Sequence, residues 1–280
     1  MTAVRLPDRA TLLVTGEEAE AFLQNLVTDD VEQIGAGEVR PGALLTPQGK
    51  ILFDFLVGRI DGGFRLDVAT SARAALLKRL QLYRLRSRIG LAEGDEAVGA
   101  VFDDAAPAGA LADRRFPDGV FRLYGMAAEG LPEDAGDFAR LRLSFGVAEA
   151  ERDFPASDVF PHDVLLDQNG GVSFRKGCYV GQEVVSRMQH RGTARRRLMV
   201  LRAEGHLTPG SVLLAGSGTP PLGDVLSASG EIGIALVRLD RLADALAAGR
   251  ALSADGVPVE AEVPAWAGYA LPEASGAAEG

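Results

Sequence analysis

Residues 43 to 68 most tightly limit what this chain can fold into. Ala43 to Pro47 is an apolar run, Gln48-Gly49-Lys50 a tight turn, and Ile51 to Arg59 a second run. Gly62-Gly63 then turns the chain into Phe64 to Val68, where Phe64, Leu66 and Val68 alternate with polar neighbours. Connections this short join antiparallel strands, because a parallel crossover needs a dozen residues or more. The segment is therefore a meander and not a βαβ unit.

The flanking sequence adds helices to that sheet. Thr11 to Val14 reads as a strand. Glu17 to Asp30 reads as a helix with Ala19, Phe22, Leu23 and Leu26 on one face and early acids at its positive end. Thr70 to Arg86 is the longest expected helix, with Ser71 as a cap and its arginines snorkelling on a solvated face. An extended exit strand, Leu85 to Ile89, is the alternative for its end. Strands are expected at Glu96 to Asp103 and Phe121 to Tyr124, a loop at Asp103 to Leu111, and a helix at Phe138 to Phe145. Pro155 to Asn169 reads as loop. Beyond it, short strand candidates fall at Leu198 to Leu201, Ser211 to Leu214, Gly223 to Ser227, Ile232 to Leu236 and Val257 to Val263. Gly, Pro and Ser turns separate them, and a helix at Leu242 to Ala248 interrupts them. That pattern predicts a small β-barrel, so the fold class is α+β.

Composition narrows the function. The chain has 280 residues, 47% hydrophobic and 24% charged, as in soluble globular proteins, and its length suggests two domains. No apolar stretch approaches the ~18 residues that span a bilayer. The start, MTAVRLPDRATLLV, lacks a signal peptide's apolar core. A single cysteine excludes an intrachain disulfide and an all-cysteine iron–sulfur site within one subunit. A cytoplasmic location is the expectation. His162, His190 and His206 have no zinc-helix spacing, so no metal site is expected.

The one thiol, Cys178, lies in Lys176 to Arg187, KGCYVGQEVVSR. From Arg175 to Arg197 seven cations face one acid, Glu183, for a net of +6 in a chain of net −10. Such an island points to a local anionic ligand. Free cysteines are most often small buried hydrophobes. Here Lys176 stands two residues away, where a cation favours thiolate, and Gly177 and Gly181 free the backbone.

The segment KGCYVGQE resembles the signature of the folate-binding YgfZ family, related to the aminomethyltransferase T-protein of the glycine cleavage system and to mitochondrial iron–sulfur assembly homologues. LLVTGEEAEAFLQNLVTDDV, ALLTPQGKILFDFLV, LLKRLQLYRLRSRIGL and the Phe154-Pro155 and Pro161-His162-Asp163 loop resemble other parts of that family. The resemblance implies a three-lobed ring. Two interwoven α+β lobes would occupy residues 1–197 and a β-barrel 198–271, with a frayed tail at 272–280. Reduced folate (tetrahydrofolate or a relative) would bind in the central opening, serving assembly or repair of [4Fe–4S] clusters in client enzymes, tRNA-modifying ones included.

Cys178 and Lys176 would then be the functional centre, with Gln182, Glu183 and Arg187 positioning segment or ligand. Glu183 or Asp67 is suited to the pterin's amino and ring N–H groups, Arg187 to a glutamate-tail carboxylate, and Tyr179 or Tyr83 to stacking. Asp67 is the nearest acid to the position where the aminomethyltransferase has a folate aspartate, and Thr70 stands where that enzyme has an asparagine. Two other readings stay open: a folate-dependent one-carbon transferase, and a non-enzymatic scaffold for iron–sulfur proteins. The expected partners are reduced folate and iron–sulfur client or assembly proteins, with a monomer that binds neither membrane nor, stably, nucleic acid.

Overall fold

The structure, a computed structural model, describes residues 2–102, 105–192, 194–216 and 218–274. Its N-terminal strands are β1 (Thr2–Arg5), β2 (Arg9–Thr15), β3 (Glu38–Leu45), β4 (Ile51–Ile60), β5 (Gly63–Ala69), β6 (Gly90–Glu93), β7 (Val98–Phe102), β8 (Leu111–Asp113) and β9 (Val120–Tyr124). They form one nine-stranded sheet in the order β1-β7-β9-β8-β3-β4-β5-β2-β6. The expected meander is its centre, with β4 antiparallel to both β3 and β5. The parallel pair β3–β8 joins this half to the other. The sheet curls, so that Tyr124 of β9 reaches Asp67 of β5.

Helices α1 (Ala19–Gln24) and α2 (Arg73–Arg84) close over the first half. There Phe22, Leu23, Leu76 and Leu80 bury against Leu12 and Leu66. Helix α3 (Gly136–Ser144) covers the second half, with Phe138 against Val4, Val98 and Phe102. The signature helix is α4 (Gln182–Arg191). The strands β10 (Arg196–Ala203), β11 (Val212–Ala215), β12 (Gly223–Ser229), β13 (Ile232–Arg238), β14 (Leu252–Ala254) and β15 (Val257–Glu262) close a barrel in the order β10-β13-β12-β11-β14-β15. Helix α5 (Leu239–Ala247) plugs it with Leu242 and Ala245. The α+β expectation with a C-terminal barrel holds, and the N-terminal sheet gives the multi-lobed form.

Several local expectations differ from the structure. The first helix ends at Gln24, because the Thr28 amide and hydroxyl both bond Ala43 of β3 and hold the chain extended. Ser71 makes no cap hydrogen bond at α2. Leu85 to Ile89 is a turn: the Ser87 amide donates to Arg84 O, and Glu18 takes the amide and Nε of Arg88. The short strands β1, β8 and β14 carry too few residues to show alternation. Asp103, in the expected strand and loop, Asp104 of that loop, and residues 275–280 of the expected tail lie outside the described residues.

Candidate functional site

The signature segment is held by the meander on one side and by the stretch after α1 on the other. Gly49 in the β3–β4 turn has φ +80 and Gly181 before α4 has φ +80, and the two meet face to face. A Cβ on Gly181 would lie 2.5 Å from Thr46 O, and one on Gly49 would lie 2.9 Å from Val184 Cβ. These glycines let the two motifs interlock. Gly177 is different, since a Cβ there meets nothing within 4 Å.

Below the loop, the Ser173 amide donates to Thr28 O, and Ser173 Oγ accepts the amides of Arg175 and Lys176. The Thr28 hydroxyl donates to Gly171 O at 2.6 Å. Lys176 turns inward across this seam and donates through Nζ to Val27 O at 2.9 Å and Asp29 O at 2.5 Å. It also stands 5.6 Å from the centroid of the Tyr179 ring. Burial lowers its pKa to about 8, against the pull of Asp29, Asp30 and Glu32.

Asp29 is 2% exposed, and its Oδ2 has no hydrogen-bond partner. Burial raises its carboxyl to about 7, against Arg40, the Asp30 amide and Lys176. Tyr179 is core, packed with Ala43, Leu45 and Ile51, and burial pushes its unpartnered hydroxyl up to about 12. Cys178, by contrast, is exposed. No hydrogen bond joins it to Lys176 among the described residues. The arrangement is an accessible thiol on a loop whose footing holds two ionisable groups shifted toward neutrality.

The other expected site residues are distributed. Gln182 is half-buried at the start of α4. Glu183 and Arg187 pair with each other at 2.6 Å on the exposed face of α4. The basic island is partly neutralised by the fold, since Arg196 pairs with Asp163 and Arg197 with Asp167. These bonds tie the Pro161-His162-Asp163 loop to the barrel. His162 bridges on to Gln189 of α4 through Nε2 at 3.1 Å. Between α4 and the barrel lies a cavity of about 630 Å³, lined by His162, Gln189, Arg195, Arg197 and Tyr269 among others.

Asp67 and Tyr83 lie elsewhere. Tyr83 lines a hollow beside α1. Asp67 is fully buried, accepting from Arg9 Nε at 2.7 Å and from the Tyr124 hydroxyl at 3.0 Å. It belongs to a central ion cluster. There Arg115 joins Asp113 and Glu149, Arg122 joins Asp113, and Arg142 joins Asp153 at 2.5 Å. Ser227, at a bulge in β12, donates to Asp153, so the cluster links both halves of the sheet to the barrel. The enclosed space beside it, lined by Arg9, Asp54 and Arg115, is about 20 Å³. That volume suits about one water and not a pterin.

Known proteins share this frame. The chain is 31% identical to the human mitochondrial iron–sulfur cluster assembly factor IBA57, over 94% of this chain and 84% of the human protein. It belongs to the IBA57 family. The mouse IBA57 is 28% identical over 95% of this chain and 85% of its own length. The pattern of the CAF17 C-terminal β-barrel domain matches residues 195–269. The glycine cleavage system aminomethyltransferase T from Bartonella henselae has the same fold, with a TM-score of 0.68 at 14% identity over 95% of this chain and 86% of that one. IBA57 relatives from animals and fungi are mitochondrial proteins, and this overturns the cytoplasmic expectation. A single thiol is compatible with several compartments and does not distinguish among them.

Proposed function

We propose that this protein is a reduced-folate-dependent factor for assembly or repair of [4Fe–4S] clusters in client enzymes, tRNA-modifying enzymes among them, with Cys178 as its functional centre. Membership of the IBA57 family supports the iron–sulfur role. The observation that carries the reading is the placement of Cys178, an exposed thiol above a half-buried lysine and an orphaned carboxyl oxygen. The cluster is cargo here. One cysteine supplies at most one thiolate ligand, so any further thiolates come from outside this chain. An accessible thiol can ligate an iron of that shared cluster, and Lys176 acts through the backbone that presents it.

Beside the ion cluster the enclosed space is about 20 Å³ and a second hollow, lined by Arg9 and Glu149, about 220 Å³, so the cavity between α4 and the barrel is the roomier place for folate. The cavity between α4 and the barrel has a volume within the range of ligand sites. In it Arg195 makes no side-chain ion pair or hydrogen bond among the described residues, which leaves its guanidinium for a glutamate-tail carboxylate. Gln189 and His162, with Nδ1 unpartnered, offer polar groups for the ring. We assign reduced folate to this cavity.

Anaerobic calorimetric titration with tetrahydrofolate tests the assignment. Micromolar binding by wild type, weakened about tenfold by Arg195→Ala and unchanged by Cys178→Ser, is the expected result. A folded wild type that shows no binding removes folate and leaves the scaffold reading.

A further inference from the structure

The end of α2 carries charge and apolar surface that the fold does not use. Lys78, Arg79, Arg84 and Arg86 are exposed, and among the described residues none makes a side-chain ion pair or hydrogen bond, although the chain carries −10 overall. Arg84 stands in the last turn, where the helix dipole favours a cation. The other three have no such role. Leu82 is 63% exposed and lies one turn from Lys78 and Arg79 on the same face. Leu85, at the helix end, is 88% exposed.

Leu85 also has φ 44 and ψ −105. Glycine adopts positive φ freely at a helix end, whereas a leucine there strains the backbone and presents its side chain to water. Tyr83 and Ser87, on either side of Leu85 in sequence, line a hollow of about 290 Å³ whose other wall includes Phe22, Asn25, Leu26 and Glu18, the last held by Arg88.

We propose that this face docks an acidic protein segment with an apolar anchor. Carboxylates would meet Lys78, Arg79 and Arg86, and an apolar side chain would enter the hollow lined by Tyr83 or pack on the exposed Leu82 and Leu85. The observations favour protein over the other polyanions. A membrane-surface helix presents a broad apolar stripe, and here the inward face of α2 is already spent on Leu76 and Leu80. Single-stranded RNA needs exposed aromatic platforms, and the aromatic residue here, Tyr83, is half-buried. The surface shares no residue with the signature segment and stands whether or not folate binds.

The test is fluorescence anisotropy of the full chain with a labelled peptide of glutamates and leucines, its leucines at i, i+3, i+4 and i+7. A scrambled peptide, phosphatidylserine–phosphatidylcholine vesicles and a single-stranded RNA are run beside it. The patterned peptide is expected to bind, more weakly as salt rises. Binding falls about tenfold or more in the Lys78→Glu, Arg79→Glu double variant and in Leu85→Gly. Leu85→Gly is expected to melt no earlier than wild type, which separates lost binding from lost fold. The proposal is overturned if the patterned peptide does not bind, if the scrambled one binds equally, if the substitutions leave binding unmoved, or if vesicles or RNA bind more tightly.

Discussion

The central cluster and the footing of the signature loop both bury charge, and they differ in how they pair it, although burial raises Asp54 in the centre too. In the centre, Arg9, Arg115, Arg122 and Arg142 each have a carboxylate within salt-bridge distance. Burial pushes Asp113 up, but Arg115 and Arg122 more than offset it and hold it below the usual carboxylate range. At the signature, Lys176 meets main-chain carbonyls, and Asp29 keeps an oxygen without a donor. There desolvation wins, moving the lysine down and the carboxyl up. The difference separates a hub that fixes three parts of the molecule from a site whose groups change charge near neutral pH.

Breaking the hub has the largest expected effect. Asp113→Ala leaves Arg115 and Arg122 short of a buried partner and lowers unfolding stability by about 3–5 kcal/mol in urea titrations at neutral pH. A loss under ~1 kcal/mol would mean that the cluster is not what joins the lobes. Next in size is the interlock. Gly181→Ala, with its Cβ 2.5 Å from Thr46 O, costs about 1–3 kcal/mol, whereas Gly177→Ala stays within ~0.5 kcal/mol by the same measurement.

Asp29→Asn sharpens the contrast through pH. The folded protein holds the Asp29 proton up to about 7, while the unfolded chain releases it near the ordinary 3.8. Between those values the native state binds more protons, so this group's contribution to stability falls as pH rises. The amide removes that loss. The variant is therefore more stable than wild type at pH 8, by about 1–2 kcal/mol, with the gain fading toward pH 4 in paired thermal melts. Lys176 has the complementary signature. Its folded value of about 8 lies below the ordinary 10.5, so its contribution rises with pH across that window. The smallest stability effect belongs to Cys178→Ser, within ~0.5 kcal/mol because the side chain is exposed.

What the sequence disclosed depended on distance along the chain. The meander, five of the six barrel strands and the signature are local patterns, found close to where the sequence placed them, whereas β14 was too short to read. The arginine hub is not local: Arg9 and Asp67 are 58 residues apart, and Arg115 and Glu149 are 34 apart. An arginine on an alternating strand does not reveal which carboxylate will face it. Asp29 was hidden for a related reason. In sequence it is one of two acids closing an expected helix, and only the early end of α1, with Thr28 drawn onto β3, turns it inward beside Lys176. The basic island was visible as a charge count, but its pairing with Asp163 and Asp167 needed the loop and the barrel in place.

The central claim is that function resides in the thiol and not in its support of the fold. The direct measurement is the [4Fe–4S] content of a client enzyme matured with wild type or with Cys178→Ser, both shown by melting to be folded. Loss of client cluster with an unchanged melt is the predicted result. Full client cluster with Cys178→Ser would contradict the account and remove Cys178 from the functional centre.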